Sequence, residues 1–182
     1  MSSSPCPGIR TARFVLRGFR EDDLPRVFRG LGDPRVIAHY GVSYATLEAT
    51  RAQMRWFQQL ETEGTGKWWA ICPADEPGQL IGACGVNDIV HAHRRAELGY
   101  WLFPEYWGQG IAHECVAAMI KHVFDTMPIY RIGAEVEVDN EASARLLRKL
   151  GFSHEGTRRA YEFKNGAPLD LQLFSLLASD RR

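Results

Sequence analysis

The heptapeptide Tyr106-Trp107-Gly108-Gln109-Gly110-Ile111-Ala112 constrains this chain more than any other stretch, because it joins an extended apolar run to an amphipathic helix through a turn almost bare of side chains. Upstream, Ala96 to Phe103 reads as a strand. Downstream, Ile111, Cys115, Met119, Ile120 and Val123 recur at helical spacing. Glycine at 108 and 110 lets backbone N–H groups approach an anion, and the helix N-terminus that follows adds the positive end of its dipole. A turn of this kind can hold a phosphate.

Other phosphate and metal readings fail at named positions. A dinucleotide-binding fingerprint requires a third glycine at 113, where the chain has His113. A Walker A loop requires Gly-Lys-Ser/Thr, and no such run follows. His113-Glu114 opens like a zinc-protease helix, but the second histidine would stand at Ala117. His113 and His122 therefore read as ordinary helix residues, and no metal is expected. What is left is a Gly-x-Gly-x-Ala turn between strand and helix, followed by a second strand, Tyr130 to Val138, and a second short helix.

Together, "YWGQGIA", "VEVDNEAS" and "LLRKLGF" resemble the GNAT acetyltransferase superfamily, whose pyrophosphate-binding motif has the form Gln/Arg-x-x-Gly-x-Gly/Ala. Here the last three positions are Gly110-Ile111-Ala112, and Trp107 stands where the general motif has Gln or Arg. Aromatic-Trp-Gly-x-Gly is similar to the ribosomal-protein N-terminal (Rim-type) branch, as is the opening "TARFVLRGFREDDLPRVFRGLGDPRVIAHYG". The resemblance runs over residues 10–178. It implies a single acetyltransferase domain there, between a flexible N-terminus of residues 1–9 and a tail of residues 179–182.

The pattern along the chain is of strands with helices interspersed. Arg13 to Phe19 reads as a strand, and Glu21-Asp22-Asp23 with Pro25 marks a helix start. Gly32-Asp33-Pro34 breaks it. Thr46 caps a long helix with apolar positions Met54, Phe57 and Leu60, ending near Gly64. Lys67 to Cys72 and Leu80 to Val86 are strands joined by a turn-rich segment, and a loop from Asn87 to Arg95 leads to the strand before the glycine turn. Asn165-Gly166 between extended runs predicts a closing hairpin. This argues for an α/β (α+β) class: a mixed, mainly antiparallel sheet of about six or seven strands flanked by helices on both faces. The GNAT resemblance adds a splay between the fourth and fifth strands, Ala96 to Phe103 and Tyr130 to Val138, with acetyl-CoA in the gap.

Composition narrows the function classes. The 182 residues, 45% of them hydrophobic, suit one soluble domain with a sizeable core. Twenty-two basic and 22 acidic residues cancel, so no global field draws nucleic acid or an anionic membrane. Local candidates for phosphate contacts are Arg94-Arg95, and Arg158-Arg159 with Lys164. Cys6, Cys72, Cys84 and Cys115 lack Cys-x-x-Cys spacing and read as reduced, buried thiols; Cys115, near a helix start, is also a candidate nucleophile. No stretch approaches about 18 apolar residues and the opening carries no apolar signal core, so a cytoplasmic protein is expected.

Acyl transfer from a thioester to an amine needs a pyrophosphate cradle, a held thioester, a deprotonated amine and stabilisation of the leaving thiolate. The resemblance implies a cradle from the backbone of Gly108, Gln109, Gly110, Ile111 and Ala112, and a pantetheine arm alongside Leu102 and Phe103. An N–H exposed by the splay near Tyr100 to Leu102 would stabilise an oxyanion. Asn140 reads from the residues as a helix N-cap; in the Rim-type branch the Asn-x-x-Ser pattern contacts the arm and places Ser143 beside the sulfur. Many GNAT enzymes use a tyrosine at the position of Leu147, which cannot donate a proton, so Ser143 becomes the candidate acid. Glu162 in "RRAYEFKNG" matches the branch's proposed catalytic glutamate and is the candidate base, although a glutamate on a hairpin strand is also an ordinary solvated charge. Tyr161 and Asp170 share that hairpin. Trp56, Phe57, Trp68 and Trp69 read as core, one of the adjacent tryptophans facing each side of its strand. The acceptor implied is a primary amine, either a protein N-terminus or a small molecule, with monomer and homodimer both open. An acyl-CoA-binding sensor or partner-binding module without catalysis is the alternative.

Overall fold

The computed structural model describes residues 8–181; Cys6 and the rest of segment 1–7 lie outside them. Ile9–Arg10 (β1) and Phe14–Arg17 (β2) form a first antiparallel pair. Three helices follow, Leu24–Leu31 (α1), Pro34–Ile37 (α2) and Leu47–Glu63 (α3), and then a meander of Lys67–Pro73 (β3), Gly82–Val90 (β4) and Arg95–Leu102 (β5). Ile111–Thr126 (α4) crosses over to Arg131–Glu137 (β6), Glu141–Lys149 (α5) follows, and Ser153–Lys164 (β7) with Ala167–Leu177 (β8) closes the chain as a hairpin. The strand order is β1-β2-β3-β4-β5-β6-β8-β7. Every contact is antiparallel except β5 with β6, where a helical crossover brings the chain back in the same direction.

The sheet has eight strands, one more than the upper expectation. The addition is β1, whose two residues are too short to show any periodicity and exist as a strand only because Ile9 pairs with Leu16. β4 likewise runs on to Val90, through a register shift between Asn87 and Val90 with Asp88 at φ 50°, into a segment expected as loop.

Local chemistry accounts for the helix ends. Thr46 accepts from Ala49 N–H at 3.1 Å to open α3, and Gly64, left-handed at φ 69°, closes it. Asp23 was expected to act through its charge at a helix start; it is instead buried and takes two 2.8 Å hydrogen bonds from Arg17, tying α1 to β2. At the hairpin tip, Asn165 and Gly166 both adopt positive φ, the geometry a two-residue turn between twisted strands requires.

The core lies in two layers. On one face α4 and α5 cover Trp69, Cys84, Leu102, Ile132 and Phe174; on the other α1 and α3 cover Trp68, Trp101 and Phe103. The two adjacent tryptophans thus do face opposite ways, and neither opens onto solvent. The second layer is packed against glycines. Trp68 lies over Gly99, where a methyl group would sit 2.5 Å from its ring, and Trp101 presses on Gly30 of α1, where a methyl would sit at 2.3 Å. A rigid indole cannot yield such space. Gly30→Ala is therefore expected to destabilise by about 1–3 kcal/mol through overpacking, despite the better helix propensity of alanine. Denaturant unfolding checks this, and an unchanged midpoint would show that the tryptophan can move aside.

Candidate active site

β5 and β6 stay together for three residue pairs, Arg95 with Arg131, Ala96 with Ile132 and Glu97 with Gly133, and then part. The closed end is stapled. Arg131 donates to both oxygens of Glu155 at 2.8 and 2.5 Å, and Ser175 Oγ donates to Glu155 at 2.7 Å, so one carboxylate joins β6, β7 and β8. Beyond it a wedge opens. Phe103 N–H donates to Ile81 O on β4 at 2.9 Å, and the alternation of an antiparallel ladder then turns the peptide groups of Tyr100 and Leu102 the other way, into the wedge. Phe103 does not join them: its carbonyl accepts from Tyr106 N–H and its side chain is buried beside α1.

The glycine turn stands at the mouth of this wedge. Gly108 and Gly110 sit at φ 72° and 74°, and Gly110 is the N-cap of α4, which has no side-chain cap. Trp107 and Gly108 form a turn that engages the Gln109 N–H, while the N–H groups of Gly110, Ile111, Ala112 and His113 at the start of α4 find no acceptor among the described residues. Free N–H groups at a helix start suit an anion. Two contacts hold the turn in shape. Trp107, half exposed, donates its indole N–H to Leu102 O at 3.0 Å. Arg13 binds Gln109 O at 3.2 Å and pairs with Glu114 at 2.7 Å. Burial disfavours charge on Glu114, but its hydrogen bonds from Thr11 and Arg13 prevail and hold it below the ordinary carboxylate value. Its negative charge, the one acid in the first turn of α4, is thus matched by a cation.

Ser143 and Asn140 reach the wedge from α5. Asn140 Oδ1 accepts from Ser143 N–H at 3.2 Å, so the cap is formed. Ser143 Oγ lies 2.8 Å from the hydroxyl of Tyr100 on β5. Burial raises the Tyr100 phenol above its ordinary value, against the opposing effect of the Ser143 bond. Leu147, one turn further, is fully buried in the core. Cys115 is buried too, and desolvation pushes its thiol up to about 12, which removes it as a nucleophile.

Glu162 lies on the opposite face of the sheet from α5. Its register partner is Leu169, two residues before Leu171, which pairs with Glu137; these side chains share the α1–α3 face. Glu162 is exposed and has no side-chain partner among the described residues. Asp170 accepts from Ala160 N–H at 2.6 Å and so holds the β7 bulge. Tyr161 is exposed beneath Arg158. Near Glu162, Lys164 donates to both Glu137 oxygens at 2.7 and 2.9 Å and to Ala38 O, and His39 Nδ1 lies 2.6 Å from Glu137. This clasp ties the hairpin to the loop after α2. Asp139 completes a group with metal-type donors, but the Lys164 ammonium already neutralises Glu137. Arg158 is likewise paired, with Glu135 at 2.6 Å.

The sequence profile of the acetyltransferase (GNAT) domain matches residues 13–153. The chain belongs to the GNAT acetyltransferases. This GNAT chain is 36% identical to the uncharacterized N-acetyltransferase YoaA of Bacillus subtilis (strain 168), over 94% of its own length and 97% of that protein. It is 33% identical to the ribosomal-protein-serine acetyltransferase of Escherichia coli (strain K12) over 70% of each chain, in line with the Rim-type resemblance. Its fold is shared with the spermidine N-acetyltransferase of Vibrio cholerae solved with CoA and spermine: TM-score 0.82, 20% identity, covering 93% and 98% of the two chains. No helix among the described residues is long and apolar enough to cross a membrane.

Sequence reasoning missed two residues that shape the turn and the wedge. Arg13 is 101 residues from Glu114, and nothing local marks it. Tyr100 was noticed only for its backbone. The staple at the closed end yields a test. Arg131, then Ser175, hold Glu155 at about 2 against an ordinary 4.5. A carboxyl depressed on folding stabilises above its unfolded value and loses that contribution as pH falls toward the folded one. Glu155→Gln should therefore lower the melting temperature by a few degrees at neutral pH, the gap to wild type narrowing from about pH 5 to about pH 3. A gap independent of pH would mean that the staple acts through shape alone.

Proposed function

We propose that the protein, through a domain spanning residues 10–178, transfers an acetyl group from acetyl-CoA to a primary amine by direct attack within a ternary complex. The observation that carries this reading is the group of N–H donors of residues 110–113, without acceptors among the described residues, after a wedge where β5 has left the β6 ladder. Such a run fits a pyrophosphate, and a free strand edge fits the amide-bearing pantetheine arm as an added strand. Acetyl-CoA, when bound, supplies the activated acetyl thioester. Gly108 to Ala112 bind the pyrophosphate through backbone donors, Tyr100 offers its peptide groups and Leu102 its N–H to the arm, and Asn140 fixes the start of α5. Ser143 gives a hydrogen bond to the sulfur as it leaves. Glu162, on the far face and free of partners, takes the proton of the incoming amine directly or through water.

The acceptor fits a protein N-terminal α-amine or a small amine. The α-amine, with an unperturbed pKa of roughly 7.7–8.0, asks less of a carboxylate base than a lysine at roughly 10.4. The Escherichia coli and Vibrio cholerae relatives, one named for a ribosomal protein and the other for spermidine, span the same two acceptor classes.

Thiol release from acetyl-CoA with a panel of N-terminal peptides and polyamines tests this. Ser143→Ala and Glu162→Gln should each lower kcat by about 10²-fold or more, with CoA affinity within about twofold of wild type. Failure to bind CoA at millimolar concentration overturns the proposal, and binding without transfer to any amine would favour the acyl-CoA sensor. Gly110→Ala, which forces a side chain into φ 74°, should weaken CoA binding about tenfold by calorimetry while Ser143→Ala does not. Unchanged affinity would move the anion site elsewhere.

A further inference from the structure

We propose that Tyr100 is a positioning residue for the leaving-group end of the reaction: by donating its hydroxyl hydrogen to Ser143 Oγ, it turns the serine's own hydrogen toward the departing sulfur. This rests on the acetyl-transfer reading above.

Hydrogen-bond accounting on α5 leads to it. A serine hydroxyl has one hydrogen to give and two lone pairs with which to accept. Helical hydroxyls commonly spend that hydrogen on the carbonyl four residues back, and three threonines here do so: Thr50 to Thr46 O at 2.9 Å, Thr62 to Gln58 O at 2.9 Å and Thr126 to His122 O at 2.8 Å. Ser143 does not. Its backbone N–H is held by Asn140 Oδ1, and the one contact of its hydroxyl among the described residues is the Tyr100 oxygen at 2.8 Å. The two groups come from facing elements, β5 and α5, across the wedge in which the arm would lie. A phenol is a more acidic O–H than an aliphatic alcohol, which makes Tyr100 the better donor of the pair. With Tyr100 donating, the serine hydrogen is left without a protein acceptor and is available to a ligand in the wedge. Leu147 explains why the second hydroxyl comes from a strand: the next inward position on α5 is hydrocarbon, packed in the core.

In the step itself, the amine nitrogen bonds to the acetyl carbon, the carbon–sulfur bond breaks, and its electron pair leaves on sulfur. The Ser143 hydrogen bond meets that charge, while the amine proton goes to Glu162 or water. In this assignment Tyr100 acts through Ser143. It removes the rotational freedom that would let Ser143 turn its hydrogen elsewhere.

A double-mutant cycle tests the assignment, with kcat, KM for acetyl-CoA and melting temperature measured for wild type, Tyr100→Phe, Ser143→Ala and the double variant. Tyr100→Phe should lower kcat roughly tenfold with KM within about twofold, and Ser143→Ala should lower it at least as much. Adding Tyr100→Phe to Ser143→Ala should change kcat by less than about twofold, because the serine it orients is gone. Wild-type kcat in Tyr100→Phe, a loss confined to KM, a loss repeated in full without the serine, or a larger loss from Tyr100→Phe than from Ser143→Ala would each overturn it. A fluorinated tyrosine at position 100 keeps the shape but ionises at lower pH. A phenolate can only accept, so kcat should fall as that phenol titrates, and a pH profile identical to wild type would overturn the proposal even if the phenylalanine variant misfolded. Wild type that binds CoA but transfers to no amine would overturn the acetyl-transfer reading together with this one, whereas active wild type with an active Tyr100→Phe overturns this one alone.

Discussion

Between β5 and β6 the backbone ladder closes for three residue pairs and then stops, leaving Tyr100 and Leu102 with peptide groups directed at no strand. Buried backbone donors and acceptors must find partners, so a strand interrupted in the middle of a sheet is unstable unless water or a ligand completes it. The rest of the molecule is arranged around that interruption. The Arg131–Glu155–Ser175 staple keeps the closed end shut, α4 starts at the open end, and α5 spans the wedge from the side. A fully paired sheet of the same strands would have no room for an acyl carrier.

The two faces of the sheet divide the labour. The α4–α5 face carries the free helix N-terminus and the Ser143–Tyr100 pair; the α1–α3 face carries Glu162 and the His39–Glu137–Lys164 clasp. Tryptophans packed on glycines make the second face stiff. On the proposed reading, donor and acceptor approach from opposite sides of one sheet and meet where it is open.

Much of this was legible in the chain. The glycine turn, the caps at Thr46 and Asn140, the Asn165-Gly166 hairpin and the opposed tryptophans each rest on chemistry local to a few residues, and each formed as read. What escaped was long-range. β1 exists only through its pairing with β2, Asp23 is defined by Arg17 rather than by its helix, and Phe103 was assigned to the cofactor edge although the ladder turns it toward β4. Parity along a strand cannot be fixed from periodicity until one hydrogen bond sets its phase. Tyr100 was hidden for the same reason: which face of β5 it occupied, and what stood opposite, depended on where α5 returned.

The bond from the Trp107 indole to the Leu102 carbonyl makes the glycine turn and the end of β5 one rigid piece. The Tyr100–Ser143 bond ties α5 to the same strand, so the spacing from the turn to Ser143 is laid out along β5. The protein thereby becomes a ruler. On the acetyl-transfer reading proposed above, a carrier whose arm was shorter or longer than pantetheine would seat its phosphate and still present its acyl group at the wrong place, so discrimination between carriers would come from length as well as from contact.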